Sequence, residues 1–145
     1  MSRLKPHTMN IALWELDPEG FHIVTNGRLH GTPIRLLIDT GANHSCFDHN
    51  FIESLQIPIK DTDKDEVNIG IGGNEFQSDI LQISDLKIGR VLVPASPFRL
   101  LDLQPICAAY KNVGFKAIHG IIGGDLLYRF RAVIDYGNKT LTLYK

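Results

Sequence analysis

Leu36-Leu37-Ile38 sets three apolar residues in succession, and the run ends on a carboxylate, Asp39. A strand with one face in water alternates apolar and polar residues, so an unbroken run belongs to a strand covered on both faces. Such a strand is expected over residues 34–38. An ionisable group at its end is costly unless it has partners, and Thr40-Gly41-Ala42 turns the chain at that point. Gly41 permits a backbone geometry closed to other residues, and Ala42 keeps the adjoining space small. That arrangement presents Asp39 at the floor of a cleft. Taken alone, the segment also fits an Asp that ends a strand and caps a turn.

The rest of the chain consists of short apolar runs bounded by Gly, Pro and Asn, the spacing of an all-β domain. Residues 20–31 read as strand, with a hairpin turn at Asn26-Gly27 or at Gly31-Thr32-Pro33. A helix is expected over 48–55, capped by Asp48, with Phe51, Ile52 and Leu55 at helical spacing and Pro58 beyond its end. Residues 61–66 carry five charges and read as a solvated turn. Residues 67–76 alternate apolar residues with glycines, as in a hairpin with a Gly-rich tip. Further strands fit 80–83 and 90–93, whereas 94–116 has no clear assignment. The end of the chain gives an apolar segment over 118–123, a short helix near 125–130, and a hairpin of 132–135 with 140–144. The sum is a mainly β fold with two short helices: an extension over 1–19, then one domain over 20–145.

A second segment narrows the reading. His119-Gly120-Ile121-Ile122-Gly123-Gly124-Asp125 repeats the apolar-apolar-Gly pattern ahead of a helix. With residues 36–42, the Gly-rich 67–76 and the closing hairpin, it resembles the retropepsin-like (clan AA) aspartic peptidases of the bacterial single-domain type. The resemblance covers roughly residues 20–145 and implies an acid-protease barrel of a single lobe. It implies Asp39 as the catalytic carboxylate. Thr40 braces paired active-site loops, Gly41 offers its carbonyl to substrate, and Ala42 lines the pocket beside the scissile bond. It implies a flap at Ile69, Gly70, Ile71, Gly72 and Gly73 that closes over an extended peptide, and a substrate pocket at Ile121, Ile122 and Gly123.

This chemistry needs two carboxylates facing one water, and the chain carries one Asp-Thr-Gly. The expectation is an aspartic endopeptidase working as a homodimer on peptide or protein substrates, with one Asp39 from each subunit at the twofold axis. At about 3 Å apart the two carboxylates cannot both ionise, so they share a proton and act as acid and base. No metal or cofactor is required. The rival reading is an inactive dimeric module of the same fold that binds peptide or serves as a scaffold. Retroviral members carry an acidic residue and an Arg where this chain has Asn43 and Gly124. Their ion pair near the dimer interface is absent here.

Other candidates carry less. His44, Cys46, Asp48 and His49 match no standard zinc spacing, and Asp48 is more simply a cap. His119 reads as a solvent-facing or hydrogen-bonded loop residue, and Asp135 as part of a hairpin turn. Composition is globular, with 43% hydrophobic and 21% charged residues, which sets disorder aside. A net charge of −1 without basic clusters argues against nucleic acid. No apolar stretch is long enough for a membrane span or a signal peptide. Cys46 and Cys107 are therefore expected as free thiols in the cytoplasm.

Overall fold

The computed structural model describes residues 3–17, 20–57, 67–69, 75–77 and 79–145. Strands β1 (Pro6–Asn10), β2 (Ala12–Asp17), β3 (Gly20–Leu29), β4 (Thr32–Ile38) and β5 (Cys46–Asp48) lead into helix α1 (His49–Ser54). Strands β6 (Val67–Ile69), β7 (Glu75–Gln77), β8 (Asp79–Ile83), β9 (Leu86–Ile88), β10 (Val91–Val93) and β11 (Ser96–Leu101) precede helix α2 (Gln104–Asn112). Strand β12 (Gly120–Ile122), helix α3 (Gly124–Arg129), β13 (Val133–Asp135) and β14 (Thr140–Tyr144) complete the order. The largest sheet runs β10-β9-β3-β4-β12-β5-β11-β8, with β2 also paired to β3. The sheet curls into a half-barrel of the retropepsin-like kind.

Residues 6–17, ahead of the expected domain start at Gly20, are two strands paired into the body. β1 lies against β14 from Pro6↔Tyr144 to Asn10↔Thr140, and β2 pairs with β3. The expected helices at 48–55 and 125–130 correspond to α1 and α3. α2 is a third, lying in the stretch without a sequence assignment. Its signals are faint: Pro105 in the first turn, with Ile106 and Tyr110 four residues apart. Among the described residues no helix is long and apolar enough to cross a membrane.

β4 is covered on both faces, as its unbroken apolar run requires. Ile34, Leu36 and Ile38 enter the main core with Leu29, Phe47, Leu86 and Phe98. Leu37 faces a second cluster with Val24, Cys46, Tyr110 and Ile121, to which α2 contributes Tyr110. Leu29, Leu36 and Leu86 are each 0% exposed, a burial that stabilises by about 1.5–3 kcal/mol per side chain.

The hairpin joining β3 to β4 turns at His30-Gly31, both in the left-handed region (φ 49° and 80°). The turn lies one residue ahead of the expected Gly31-Thr32-Pro33, while the alternative Asn26-Gly27 is paired within β3. Two such residues define the two-residue turn that suits the twist of paired strands. The turn fixes the β3–β4 register from Leu29↔Thr32 to Ile23↔Ile38.

Candidate active site

Asp39 stands immediately after β4. That strand runs parallel to β12 with Ile38 beside Ile122, and the Asp39 N–H donates to the Ile122 carbonyl at 2.9 Å. The chain then reverses, with the Ala42 N–H donating to the Asp39 carbonyl at 3.2 Å across a β-turn. Asp39 Oδ1 accepts the Gly41 N–H at 3.0 Å. The half-buried carboxylate is thus oriented by its own turn, while Thr40 and Gly41 are exposed.

One expectation about this turn is corrected. Gly41 is not among the positive-φ glycines, and a Cβ there would meet only Asp39 Oδ1, at 3.4 Å. The backbone at 41 is therefore open to other residues, and its contribution is the N–H given to Asp39.

Near the site, the glycines that packing does require lie in the second motif. A Cβ on Gly123 would fall 2.7 Å from the Ala42 oxygen and 3.1 Å from the His44 carbonyl carbon. On Gly120 it would fall 2.8 Å from both the Cys46 oxygen and the Phe47 ring. Their absent side chains let two backbones approach with nothing between them. The Gly124 N–H then donates to the Ala42 carbonyl at 2.7 Å. Below it, Asp125 accepts the Ser45 N–H at 3.0 Å and the Ser45 hydroxyl at 2.7 Å. Ser45 Oγ in turn accepts the Gly123 N–H at 2.9 Å. Together with the Gly124–Ala42 bond, these bonds tie the Asp39 loop to α3.

A cleft of about 330 Å³ opens beside Asp39 and Thr40. Phe21, His22, Ile23, Leu37 and Tyr136 wall it. The structure brings Asp39, Thr40, Gly41 and Ala42 together in one turn. Ile121, Ile122 and Gly123 are buried behind it and do not line this cleft: Ile122 sits in the main core and Ile121 in the second cluster. Of the flap residues, Ile69 ends β6, which pairs antiparallel with β7. Gly70, Ile71, Gly72 and Gly73 lie outside the described residues, as does the charged segment 61–66.

Of the remaining titratable candidates, His44 is exposed, and Asp48, His49, His119 and Asp135 have structural partners. Asp48 caps α1 through the Phe51 N–H at 3.1 Å and accepts the Leu103 N–H at 2.9 Å. His49 lies 3.6 Å from Glu53 and 3.9 Å from Asp79. Among the described residues no three metal-binding side chains converge. Cys46 and Cys107 are free, and burial pushes the Cys46 thiol up to about 11. His119 Nδ1 accepts the Arg35 N–H at 2.9 Å. Burial first, then the Arg35 guanidinium, holds its imidazole below the ordinary range. Asp135 accepts both the backbone and side-chain N–H of Asn138, at 2.9 Å each, which keeps its carboxyl below the usual range.

Phe21, His22 and Tyr136 were not singled out in the sequence. The available signal was the hairpin turn: with it at His30-Gly31, the register runs to Ile23↔Ile38, and His22 and Asp39 follow that pair at the cleft.

A curled β lobe with an apolar strand ending in Asp-Thr-Gly, backed by a Gly-bearing strand that enters a helix, defines the acid-protease class. The aspartyl protease family matches residues 25–126, and the chain belongs to that family. A retropepsin-like aspartic protease from Rickettsia conorii superposes with a TM-score of 0.59 at 16% identity, covering 99% of this chain and 95% of its own. The retroviral protease-like domain of Ddi1 from Leishmania major gives a TM-score of 0.56 at 16% identity, covering 84% and 87%. At such identities the likeness speaks for the fold. No curated protein matches the chain.

Proposed function

We propose that the protein is an aspartic endopeptidase acting as a homodimer, with one Asp39 from each subunit at the twofold axis. The observation that carries this reading is the setting of Asp39. Its carboxylate ends a strand covered on both faces, takes the Gly41 N–H at 3.0 Å, and borders an open cleft. Family membership and the single Asp-Thr-Gly of the chain support it.

In the pair, one proton is shared between the two carboxylates, since like charges in contact resist joint ionisation. The ionised member takes a proton from water as the water attacks the peptide carbonyl. The protonated member donates to the carbonyl oxygen, and a proton then passes to the leaving nitrogen. Thr40 braces the two loops, the Gly41 carbonyl and Ala42 meet the substrate backbone, and Ile121, Ile122 and Gly123 support the pocket. Residues 69–73 close over an extended peptide, bound by backbone pairing.

The test is cleavage of an unstructured peptide library at mildly acidic pH, with and without a pepstatin-type inhibitor. Asp39→Asn is expected to lower turnover at least about a hundredfold while the fold persists. Unchanged cleavage in that variant defeats the mechanism. Sedimentation that finds monomer alone, concentrated and with inhibitor bound, defeats the homodimer.

A further inference from the structure

The β3–β4 register pairs Ile23 with Ile38 and Val24 with Leu37. The pairing ends at Ile23↔Ile38; His22 and Asp39 are the next residues of the two segments, on the side of Val24 and Leu37 by strand alternation. His22 is half-buried and lines the cleft beside Asp39. Its Nδ1 lies 2.8 Å from the hydroxyl of Tyr110, a side chain 0% exposed.

The direction of that hydrogen bond follows from the inventory of donors. Among the described residues the Tyr110 hydroxyl has no other partner. If Nδ1 carried the proton, the buried O–H hydrogen would be left without an acceptor, which is costly. Tyr110 therefore donates, and Nδ1 accepts. Burial pushes the Tyr110 phenol up to about 12, so the donor keeps its hydrogen. The neutral imidazole is then held with its proton on Nε2, which has no partner among the described residues. Trp14 and Phe115 lock the arrangement from below: their rings stack at 4.8 Å, and Trp14 meets Tyr110 edge-on at 5.1 Å.

We propose that His22 is a substrate-contacting, specificity-determining residue that offers its Nε2–H inside the cleft, with Tyr110 as the positioning residue behind it. The walls beside it, Phe21, Ile23, Leu37 and Tyr136, are apolar or aromatic. The side chain that fits carries an acceptor oxygen on a short apolar stem. Asp39 lines the same cleft and repels an anion. The preferred side chain is consequently a neutral carboxamide, Gln or Asn, and not a carboxylate. This rests on the reading of Asp39 as the catalytic carboxylate at that cleft.

Two measurements on the full chain separate the two readings. In the first, kcat/KM is compared for peptides that differ only in Gln, Glu or Leu next to the scissile bond. Gln is expected to exceed both others by about tenfold, the discrimination one hydrogen bond supplies. His22→Leu brings the Gln-to-Leu ratio near one, and Tyr110→Phe lowers it by about threefold. A ratio unmoved by both variants, or Glu ahead of Gln, overturns the proposal while leaving Asp39 in place. The second measurement is ¹⁵N NMR of the imidazoles, which needs no cleavage. His22 is expected as the Nε2–H tautomer in the wild type and as a mixture in Tyr110→Phe. Its Nε2–H signal should move when the Gln peptide, and not the Leu peptide, is added to Asp39→Asn. An Nδ1–H tautomer in the wild type overturns the proposal. These NMR results in a protein that cleaves nothing would uphold His22 and defeat the peptidase reading.

Discussion

The carboxylate of Asp125 takes both the backbone N–H and the hydroxyl of Ser45, 80 positions earlier in the chain, at 3.0 and 2.7 Å. Ser45 is 1% exposed, and its oxygen also accepts the Gly123 N–H. Removing the acceptor takes away the partner of both Ser45 donors and of the Leu126 N–H. Asp125→Ala is expected to destabilise by about 1–3 kcal/mol, read from urea unfolding midpoints. Combined with Ser45→Ala, the double variant should lose less than the sum of the singles. Strict additivity would mean that the two residues act separately.

The close backbone approach at the second motif gives a graded series. A Cβ on Gly123 or Gly120 meets backbone oxygen at 2.7 or 2.8 Å, whereas on Gly124 the nearest atom is 3.5 Å away. Gly123→Ala and Gly120→Ala should each cost about 1–3 kcal/mol or more through forced backbone shifts. Gly124→Ala is expected to unfold within about 0.5 kcal/mol of the parent. Equal effects at 123 and 124 would contradict this packing.

Asp48 serves two elements at once, capping α1 through Phe51 and holding the chain ahead of α2 through the Leu103 N–H. Asp48→Ala forfeits a cap worth about 1 kcal/mol and leaves the buried Leu103 N–H unpaired at about 1–3 kcal/mol more. Asp48→Asn retains an acceptor and should recover part of this. Thermal unfolding of the two variants side by side gives the comparison.

His119 makes stability depend on pH in a definite direction. Folding lowers its pKa from about 6.5, chiefly through burial, so the unfolded chain binds the proton more tightly. Its contribution is complete above that value and is lost as pH falls through the folded value. Acid conditions that suit a shared-proton carboxylate pair therefore weaken this node. His119→Asn keeps an acceptor for the Arg35 N–H and should flatten the decline in urea midpoint between neutral and mildly acidic pH. An unaltered slope would assign the decline to other groups.

Much of the site was legible in the chain itself. The run Leu36-Leu37-Ile38 required burial on both faces and received it, and Asp48 was recognisable as a cap from Phe51, Ile52 and Leu55. These are local signals, carried by the periodicity and turn chemistry of a few neighbouring residues. The closing hairpin, β13 with β14, followed from the same cues. α2 escaped because its face reads weakly: Ile106 and Tyr110 bury themselves against a cluster assembled from distant strands.

The sequence by itself determined which carboxylate ends a doubly covered strand, and that a second Gly-bearing apolar segment accompanies it. Local residue order sets both. Only the tertiary structure decided that packing requires a glycine at 123 and not at 41, since the obstacle is the backbone of Ala42, far away in sequence. It likewise decided that His22 lines the cleft beside Asp39. That placement depends on a hairpin register, and the register is set by the turn at His30-Gly31, which only overlaps the expected Gly31-Thr32-Pro33 and leaves Asn26-Gly27 inside β3.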